Sequence, residues 1–188
     1  MPTRGSETAG DGHIATGGRT GGSALRFGPP GKGLEICLSA IDRGRLRAVS
    51  LFVGMMRRLI HEALIHSTGR RQYGRSISES QLVQQHLADC QADHDAASAR
   101  LAQAVRATGS GREMSRIAAT AKLFASEAVD RVADRVLQIW GGSGSMRDSA
   151  PARFLADARL MRIYEGTSEI MRLTIAREML TGAGTGSL

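Results

Sequence analysis

The amino-acid sequence predicts an all-α protein, folded as one antiparallel bundle of helices. Three observations support this fold class. Apolar residues recur at three- and four-residue steps over long stretches, which is the pattern of helices that bury one face. Aromatic residues make up only 4% of the 188 residues, whereas sheets favour aromatic and β-branched side chains. Glycine-rich turns separate the periodic stretches, and short connections between long helices favour antiparallel packing.

Residues 1–33 are predicted to form a flexible extension ahead of this bundle. The stretch is rich in Gly, Thr and Ser and has few apolar side chains whose burial could offset the entropy of ordering. Its Gly-Lys pair at 31–32 lacks the following Ser or Thr of a phosphate-binding loop. The bundle is therefore predicted over residues 34–181, and residues 182–188 are predicted to be a flexible tail.

The first two helices are predicted from their apolar stripes. One stripe runs over residues 46–64 and the other over residues 82–105. A polar segment bracketed by glycines, residues 69–74, is predicted to join them as an irregular loop. No strand pattern is convincing anywhere in the chain.

Three further helices complete the predicted bundle. Residues 108–111, which read TGSG, form a turn before a long helix over residues 113–139. The glycine-rich residues 141–144 end that helix, and a shorter one follows at residues 153–162. The last helix carries its apolar side chains over residues 170–180.

The segment RIYEGTSEIMR, residues 162–172, places Glu165 one residue before Gly166, where an irregular stretch turns into the last helix. Two interpretations of this carboxylate are open. It could stabilise the positive end of the helix dipole, a surface effect of a few tenths up to about 1 kcal/mol. It could instead act as a catalytic base.

The net charge of +7, from 25 basic and 18 acidic residues, suits an anionic ligand such as a nucleotide or a CoA thioester. Nucleic acid would suit it equally, but the arginines alternate with acidic residues and no basic run is interleaved with aromatics, which disfavours that class. No apolar run approaches the ~20 residues that span a bilayer. These features predict a soluble, cytoplasmic protein that binds neither membrane nor nucleic acid.

Metal and disulfide chemistry finds little support in the sequence. Cys37 and Cys90 are far apart and lack paired metal-ligand spacing, which fits a reducing cytosol. A cluster at helical spacing could be imagined as a metal site, but its first histidine falls within an apolar stripe, which favours a core histidine. The members of this cluster are His86, Asp89, Asp93 and His94.

Four separated stretches, taken in order, resemble the flavin-dependent acyl-CoA dehydrogenases. They read LSAIDRGR at 38–45, RRQYGR at 70–75 with a glutamine at 81, QIWGGSG at 138–144, and DAR at 157–159 followed by IYEGTSE at 163–169. The resemblance covers roughly residues 31–180. It implies the helical C-terminal domain of that family, without the N-terminal helical domain and the β-domain that precede it there. The chain therefore resembles a truncated reading frame, an excised domain or a subunit that needs a partner.

The resemblance implies a base and a substrate site. Glu165 matches the position of the family's base, which removes the α-proton of an acyl-CoA while the β-hydrogen leaves as hydride to FAD. Some members carry the base at the position of Gly44 instead, and glycine cannot serve. Asp42, Arg45, Tyr164 and Gly166 match positions near the acyl-CoA. For Asp42 and Arg45, a surface ion pair on one helical turn is the competing interpretation.

The resemblance also implies an FAD site. Most of its residues would serve the flavin of a neighbouring subunit, while the turn at Thr167–Glu169 would serve the chain's own flavin, so a homo-oligomer, either a dimer or a tetramer, is expected. The cofactor-binding residues implied are Arg70, Gln72, Tyr73, Gln81, Gln138, Gly141, Gly142, Thr167 and Glu169. Two departures from the family pattern are Ala156, where an arginine is common, and Trp140, where a smaller residue or His is common.

Two functions remain open at this point. The first is an acyl-CoA dehydrogenase that forms a trans-2-enoyl-CoA and passes electrons to an electron-transferring flavoprotein. The second is a catalytically incompetent helical assembly module that cannot hold flavin alone.

Overall fold

The computed structural model describes residues 28–107 and 112–184. Most of the predicted extension (1–27), the predicted turn at 108–111 and the last four residues (185–188) lie outside the described residues. The described chain divides between Arg43 and Gly44 into two units.

The described residues form five α-helices, one short hairpin and two 3-10 turns. Along the chain, the elements are α1 (Gly33–Gly69), β1 (Arg71–Gln72), β2 (Arg75–Ser76), a 3-10 turn (Ile77–Glu79), α2 (Gln81–Arg106), α3 (Arg112–Trp140), a second 3-10 turn (Gly141–Ser145), α4 (Ala150–Met161) and α5 (Ser168–Gly184). The predicted all-α fold is confirmed. None of these described helices combines the length and the apolar character that crossing a membrane requires.

Helix boundaries differ from the predicted stripes by up to several residues. Helix α1 begins at Gly33, well before the first stripe at Leu46, because the intervening residues contain no proline to stop a helix even though they have no regular apolar face. Helix α4 begins at Ala150, where the hydroxyl of Ser149 accepts a hydrogen bond from the amide of Ala152. Helix α5 continues to Gly184, beyond the predicted end of the domain.

The segment between α1 and α2 forms a hairpin where the sequence predicts only an irregular loop. Arg71 pairs with Ser76, and Gln72 pairs with Arg75, in an antiparallel register. Tyr73 and Gly74 both have positive φ, 50° and 80°, as a two-residue turn of the I′ type requires. Each strand has two residues, which is too short for an alternating pattern to be visible in the sequence.

The core is built from α1 residues after position 44 together with α2, α3 and α4. On α1 the fully buried apolar side chains include Phe52, Met56 and Leu59. Helix α3 contributes the largest share, at helical spacing, with Ala118, Ala121, Ala125, Ala128, Val129, Val132, Val136 and Ile139. The residues that form these two faces are those of the apolar stripes.

Leu59 and Leu64 on α1 offer a matched test of this core. Leu59 is 0% exposed and Leu64 is 47% exposed. We expect Leu59→Ala to lower the free energy of unfolding by about 2–5 kcal/mol, because it removes buried atoms and leaves a cavity. Leu64→Ala should change it by no more than about 0.5 kcal/mol. Urea unfolding of both variants measures the difference, and equal losses would contradict the assigned core.

Candidate active site

The loop between α4 and α5 holds Glu165 in an unusual backbone conformation. Glu165 has φ 56° and the next residue, Gly166, has φ 94°. A non-glycine residue with left-handed backbone is unfavourable by roughly 1–2 kcal/mol because its Cβ crowds the backbone. Thr167 then caps the last helix, because its hydroxyl accepts a hydrogen bond from the amide of Ile170 at 3.3 Å.

The carboxylate of Glu165 lies directly against the backbone of α1. A Cβ atom added at Gly44 would stand 2.8 Å from Oε2 of Glu165 and 3.2 Å from its Oε1. Any side chain at position 44 would therefore displace the carboxylate. Gly44 stands at the position where some family members carry the base. In this chain the same glycine leaves room for the carboxylate of Glu165.

Two buried cations contact the backbone of this loop. Lys122 on α3 is 0% exposed, and its Nζ donates a hydrogen bond to the carbonyl oxygen of Gly166 at 2.6 Å. Arg45 on α1 is 8% exposed, and its Nε lies 3.5 Å from the carbonyl oxygen of Glu165. Burial, and next the charge of Arg45, lower the pKa of Lys122 to about 8. The turn that carries the carboxylate is thus held by side chains from two helices.

Lys122 is the residue of this site that the sequence interpretation misses. It follows Ala121 in a helix whose positions 118, 121 and 125 are buried. A lysine beside an apolar stripe is usually a solvated residue, so the pattern gives no warning of its burial. The signal that could have found it is the set of small residues three and four positions away on the same helix, because these give the lysine no charged neighbour on that face. They are Ala118, Ala119, Ala125 and Ser126.

Arg45 and Asp42, both predicted near an acyl-CoA, differ in their surroundings. The guanidinium of Arg45 is turned toward the loop backbone and exposes little of itself. Asp42 is half-buried on the part of α1 that belongs to the first unit. Their contact with a substrate stays a prediction.

Tyr164 and Glu169 flank the turn. The ring of Tyr164 packs edge-on against Phe52, with ring centroids 6.0 Å apart and an interplanar angle of 85°. Burial, and next the charge of Glu165, raise the pKa of Tyr164. Glu169 is exposed, and hydrogen bonds from its own backbone amide and from Thr167 lower its pKa. Both residues are therefore fixed by their neighbours, as a preorganised turn requires.

Ion pairs to α3 hold the chain on both sides of the turn. Arg162, just before it, lies 3.3 Å from Oε2 of Glu127 and 3.1 Å from Oδ2 of Asp130. Arg172, just after it, lies 3.4 Å from Oε1 of Glu127. One face of α3 therefore anchors the whole segment from Arg162 to Arg172.

A second feature is a cleft of about 730 Å³ between the hairpin, the start of α2 and the end of α3. It brings together six of the predicted cofactor-binding residues, Arg70, Gln72, Tyr73, Gln138, Gly141 and Gly142. Gln81, a seventh, is exposed at the first residue of α2, between two residues that line the cleft. Among the described residues, none from the Glu165 loop lines this cleft.

The floor of the cleft is aromatic. The rings of His66 and Trp140 stack with centroids 4.3 Å apart and an interplanar angle of 16°. Burial, and next the charge of Arg70, lower the pKa of His66 below its usual value. Within the described residues, Nε1 of Trp140 and Nδ1 of His86 are buried without a hydrogen-bond partner. The cleft therefore has polar atoms available in its wall.

The imagined metal cluster is not assembled in the described part of the chain. Asp93 pairs instead with Arg135 at 2.7 Å and also with Arg131. These two arginines lower its pKa against the opposing effect of burial. No group of three or more metal-ligating side chains is close enough to hold an ion among the residues that the structure describes.

The fold and the Glu165 loop define a helical domain that presents a carboxylate on a strained turn. A family model described as the C-terminal domain of acyl-CoA dehydrogenases matches residues 31–180. The chain belongs to the acyl-CoA dehydrogenase family.

Individual relatives agree with this assignment. The chain is 40% identical to a probable acyl-CoA dehydrogenase, YngJ of Bacillus subtilis, over 158 residues, which are 84% of this chain and 42% of that protein. Butyryl-CoA dehydrogenase of Megasphaera elsdenii superposes with a TM-score of 0.78 at 30% identity, over 81% of this chain and 40% of the other. An acyl-CoA dehydrogenase of Bacillus anthracis in complex with FAD gives 0.80 at 28% identity, over 88% and 32%. The chain thus spans about two fifths of the curated relative's length.

Trp140 is the single tryptophan of the chain, so its fluorescence reports on the cleft alone. We expect this fluorescence to titrate with a midpoint below the ordinary histidine pKa of about 6.5, because protonation of His66 puts a cation on the indole face. The free energy of unfolding should fall as the pH drops below about 6.5 and continue to fall until the folded-state pKa is reached, because the unfolded chain binds the proton first.

The variants His66→Gln and His61→Gln separate this titration from others. Both residues lie on α1, and His61 is exposed. The fluorescence titration should disappear in His66→Gln and persist in His61→Gln. A titration that survives in His66→Gln would contradict the stacked arrangement.

Proposed function

We propose that this chain carries the base and part of the flavin site of an FAD-dependent acyl-CoA dehydrogenase, with Glu165 as the base. The observation that supports this most directly is the Glu165 loop, in which a carboxylate on a left-handed residue faces a glycine of α1 and is fixed by buried cations. The product would be a trans-2-enoyl-CoA.

The cleft fits one part of FAD. Arg70 can form charge-assisted, forked hydrogen bonds to phosphate. A Cβ atom added at Gly141 or Gly142 would meet nothing within 4 Å, so ligand atoms can approach the backbone there. Trp140 and His86 each offer a buried polar atom that still lacks a partner in the described chain. Six of the residues that the family resemblance implies for the FAD site line this one cleft, and their grouping supports the proposed cofactor binding.

The chemistry asks two things of the residues of this chain, besides the electron acceptor that FAD would supply. Glu165 takes the α-proton onto its carboxylate. An ordinary glutamate carboxylate, with a pKa of about 4.3, is a weak base that needs a dry and fixed setting for this step. FAD supplies the acceptor for the β-hydrogen, which leaves the substrate as hydride. The backbone N–H of Glu165 donates to the thioester oxygen, where negative charge develops.

Partners follow from the same proposal. The segment that presents Glu165 also exposes large apolar side chains, with Leu160 at 54%, Ile163 at 49% and Leu173 at 60%. Such side chains mark association surfaces when they are contiguous. We propose that a second copy or a partner subunit covers them and that an electron-transferring flavoprotein accepts the electrons.

Glu165→Gln tests the base. We expect the chain, mixed with FAD and freed of unbound cofactor by gel filtration, to retain flavin absorbance bands that butyryl-CoA bleaches under anaerobic conditions. Glu165→Gln should keep the bound flavin and lose bleaching by a factor of about 10² to 10⁴, because the amide cannot accept the proton. Glu178→Gln, on the helix that follows, is the matched control and should bleach normally.

Two results would contradict the proposal. Bleaching at the normal rate by Glu165→Gln would exclude Glu165 as the base. A chain that leaves a gel-filtration column without flavin absorbance after mixing with FAD would exclude autonomous catalysis and favour the assembly module.

Gly44→Ala tests the position of the carboxylate. The new methyl group would stand 2.8 Å from Oε2 of Glu165, and the flexible carboxylate would move away. Bleaching should slow by roughly 10²-fold because a misplacement near 1 Å is enough for such a loss. The free energy of unfolding should hold or rise by about 0.5–1 kcal/mol because alanine favours the helix.

Gly54→Ala is the matched control on the same helix. A Cβ atom at Gly54 would meet nothing within 4 Å. It should raise stability by the same mechanism and leave bleaching unchanged. Unchanged bleaching in Gly44→Ala would show that the carboxylate works from another position.

A further inference from the structure

We propose that Lys122 is a positioning residue for the Glu165 base: it holds the carbonyl group of Gly166 so that the turn keeps its left-handed backbone. This inference rests on the proposed function of Glu165. It assigns a role to a residue that none of the four sequence motifs contains. The argument comes from the strain of the turn, the burial of the lysine and the contacts on each side.

The turn needs an external restraint. Glu165 and Gly166 have consecutive positive φ angles, 56° and 94°. A non-glycine residue keeps such a conformation only where the surrounding structure fixes it. A free loop would relax Glu165 toward an ordinary region of φ and ψ. The carboxylate would then leave the face of Gly44.

The contacts supply that restraint on adjacent peptide groups. Lys122 Nζ donates to the carbonyl oxygen of Gly166 at 2.6 Å, and Arg45 Nε lies 3.5 Å from the carbonyl oxygen of Glu165. The shorter contact comes from Lys122. Hydrogen bonds from charged donors are shorter and stronger than those between neutral groups, and the distance of 2.6 Å marks the contact of Lys122 as one of this kind.

Burial argues that the charge of Lys122 serves a purpose. Its side chain is 0% exposed, and removing an ammonium group from water is expensive unless partners replace the water. A methionine would fill the same volume without that cost, and such replacements of buried charges are often neutral or stabilising. Core packing alone therefore does not explain a lysine at this position.

The restraint links the two chemical groups that Glu165 brings to the reaction. Its carboxylate takes the proton, and its backbone N–H donates to the thioester oxygen. The angle φ describes rotation about the N–Cα bond of Glu165. It therefore sets the direction of the N–H relative to the side chain that carries the carboxylate. Lys122 holds the carbonyl group of the next residue, Gly166, and so limits the backbone rotations that would change the direction of the N–H relative to the carboxylate.

Loss of Lys122 should act locally because the flanks of the turn have separate anchors. Arg162 pairs with Glu127 and Asp130, and Arg172 pairs with Glu127. These ion pairs remain when Lys122 is replaced. The turn between them is then free to change conformation while the bundle stays folded.

Amide hydrogen exchange of the full 188-residue chain tests the proposal without flavin or substrate. In Lys122→Met, peptides that cover residues 162–171 should exchange about tenfold faster, as expected for the loss of a charge-assisted hydrogen bond. Exchange elsewhere should match the unmodified chain. Arg131→Met, which removes a cation of α3 that contacts Asp93 instead of the turn, should leave the peptides at 162–171 unchanged.

A pH profile provides the second readout. Lys122 is faced by Arg45 from α1, by Glu127 of its own helix, by Glu165 of the turn and by Glu169 of α5. Carboxylates and guanidinium groups do not ordinarily titrate near pH 8. Protection of the turn, corrected for intrinsic exchange, should therefore fall as the pH passes about 8, where Lys122 loses its proton. Lys122→Arg should keep the protection and abolish the pH step.

The outcomes separate this inference from the proposed function. Unchanged exchange at 162–171 in Lys122→Met, or acceleration spread over the whole chain, would overturn the positioning role. If Lys122→Met does not fold, Lys122→Leu takes its place, and unchanged exchange at 162–171 in that variant would overturn the role. Normal bleaching by Glu165→Gln would instead refute the base and would leave the exchange results as they stand.

Discussion

Helix α3 contacts α2, α4 and α5 at once because much of the surface that it turns toward them is alanine. Small side chains let several helices approach one axis without cavities, since packed cores tolerate few voids. The buried alanines of this helix are Ala118, Ala119, Ala121, Ala125, Ala128 and Ala133. This close packing also sets the position of α3 along its axis and its rotation about that axis. Lys122 therefore contacts Gly166 in the turn between α4 and α5, and Glu127 contacts Arg162 and Arg172 beside it.

The same packed bundle contains two buried cations, which stability alone would not favour. Lys122 and Arg45 bring positive charge into the bundle, and burial of charge opposes folding unless hydrogen bonds replace the lost water. They contact backbone carbonyls of Glu165 and Gly166, two consecutive residues with left-handed φ angles. The packed helices hold the two cations in place, and the cations in turn hold the backbone of the turn that carries the Glu165 carboxylate.

Local patterns predicted the helices, but long-range contacts decided the site. The stripes at 46–64 and 82–105 and the stop after Trp140 follow from helical periodicity and glycine chemistry, and the structure has helices there. The hairpin at Arg71–Ser76 escaped notice because its strands have two residues each. The contact of Lys122 with the turn was not predicted because its partner, Gly166, lies 44 residues away in sequence. Gly44 was recognised only as a position without a base, since its contact with Glu165 depends on how α1 packs against the turn.

The arrangement of the two candidate features constrains how a flavin could meet both. The cleft is built from the hairpin, the start of α2 and the end of α3, and it does not include the described residues of the Glu165 turn. Under the proposed function, the base must lie beside the reactive ring while Arg70 and the glycines after Trp140 hold another part of the cofactor. Because the cleft and the Glu165 turn share none of the described residues, the simplest arrangement under this proposal is that two copies share each flavin. The cleft of one copy would then face the Glu165 turn of the other. The exposed apolar side chains beside Glu165 would then gain a second purpose, because the association that buries them also removes water from the carboxylate.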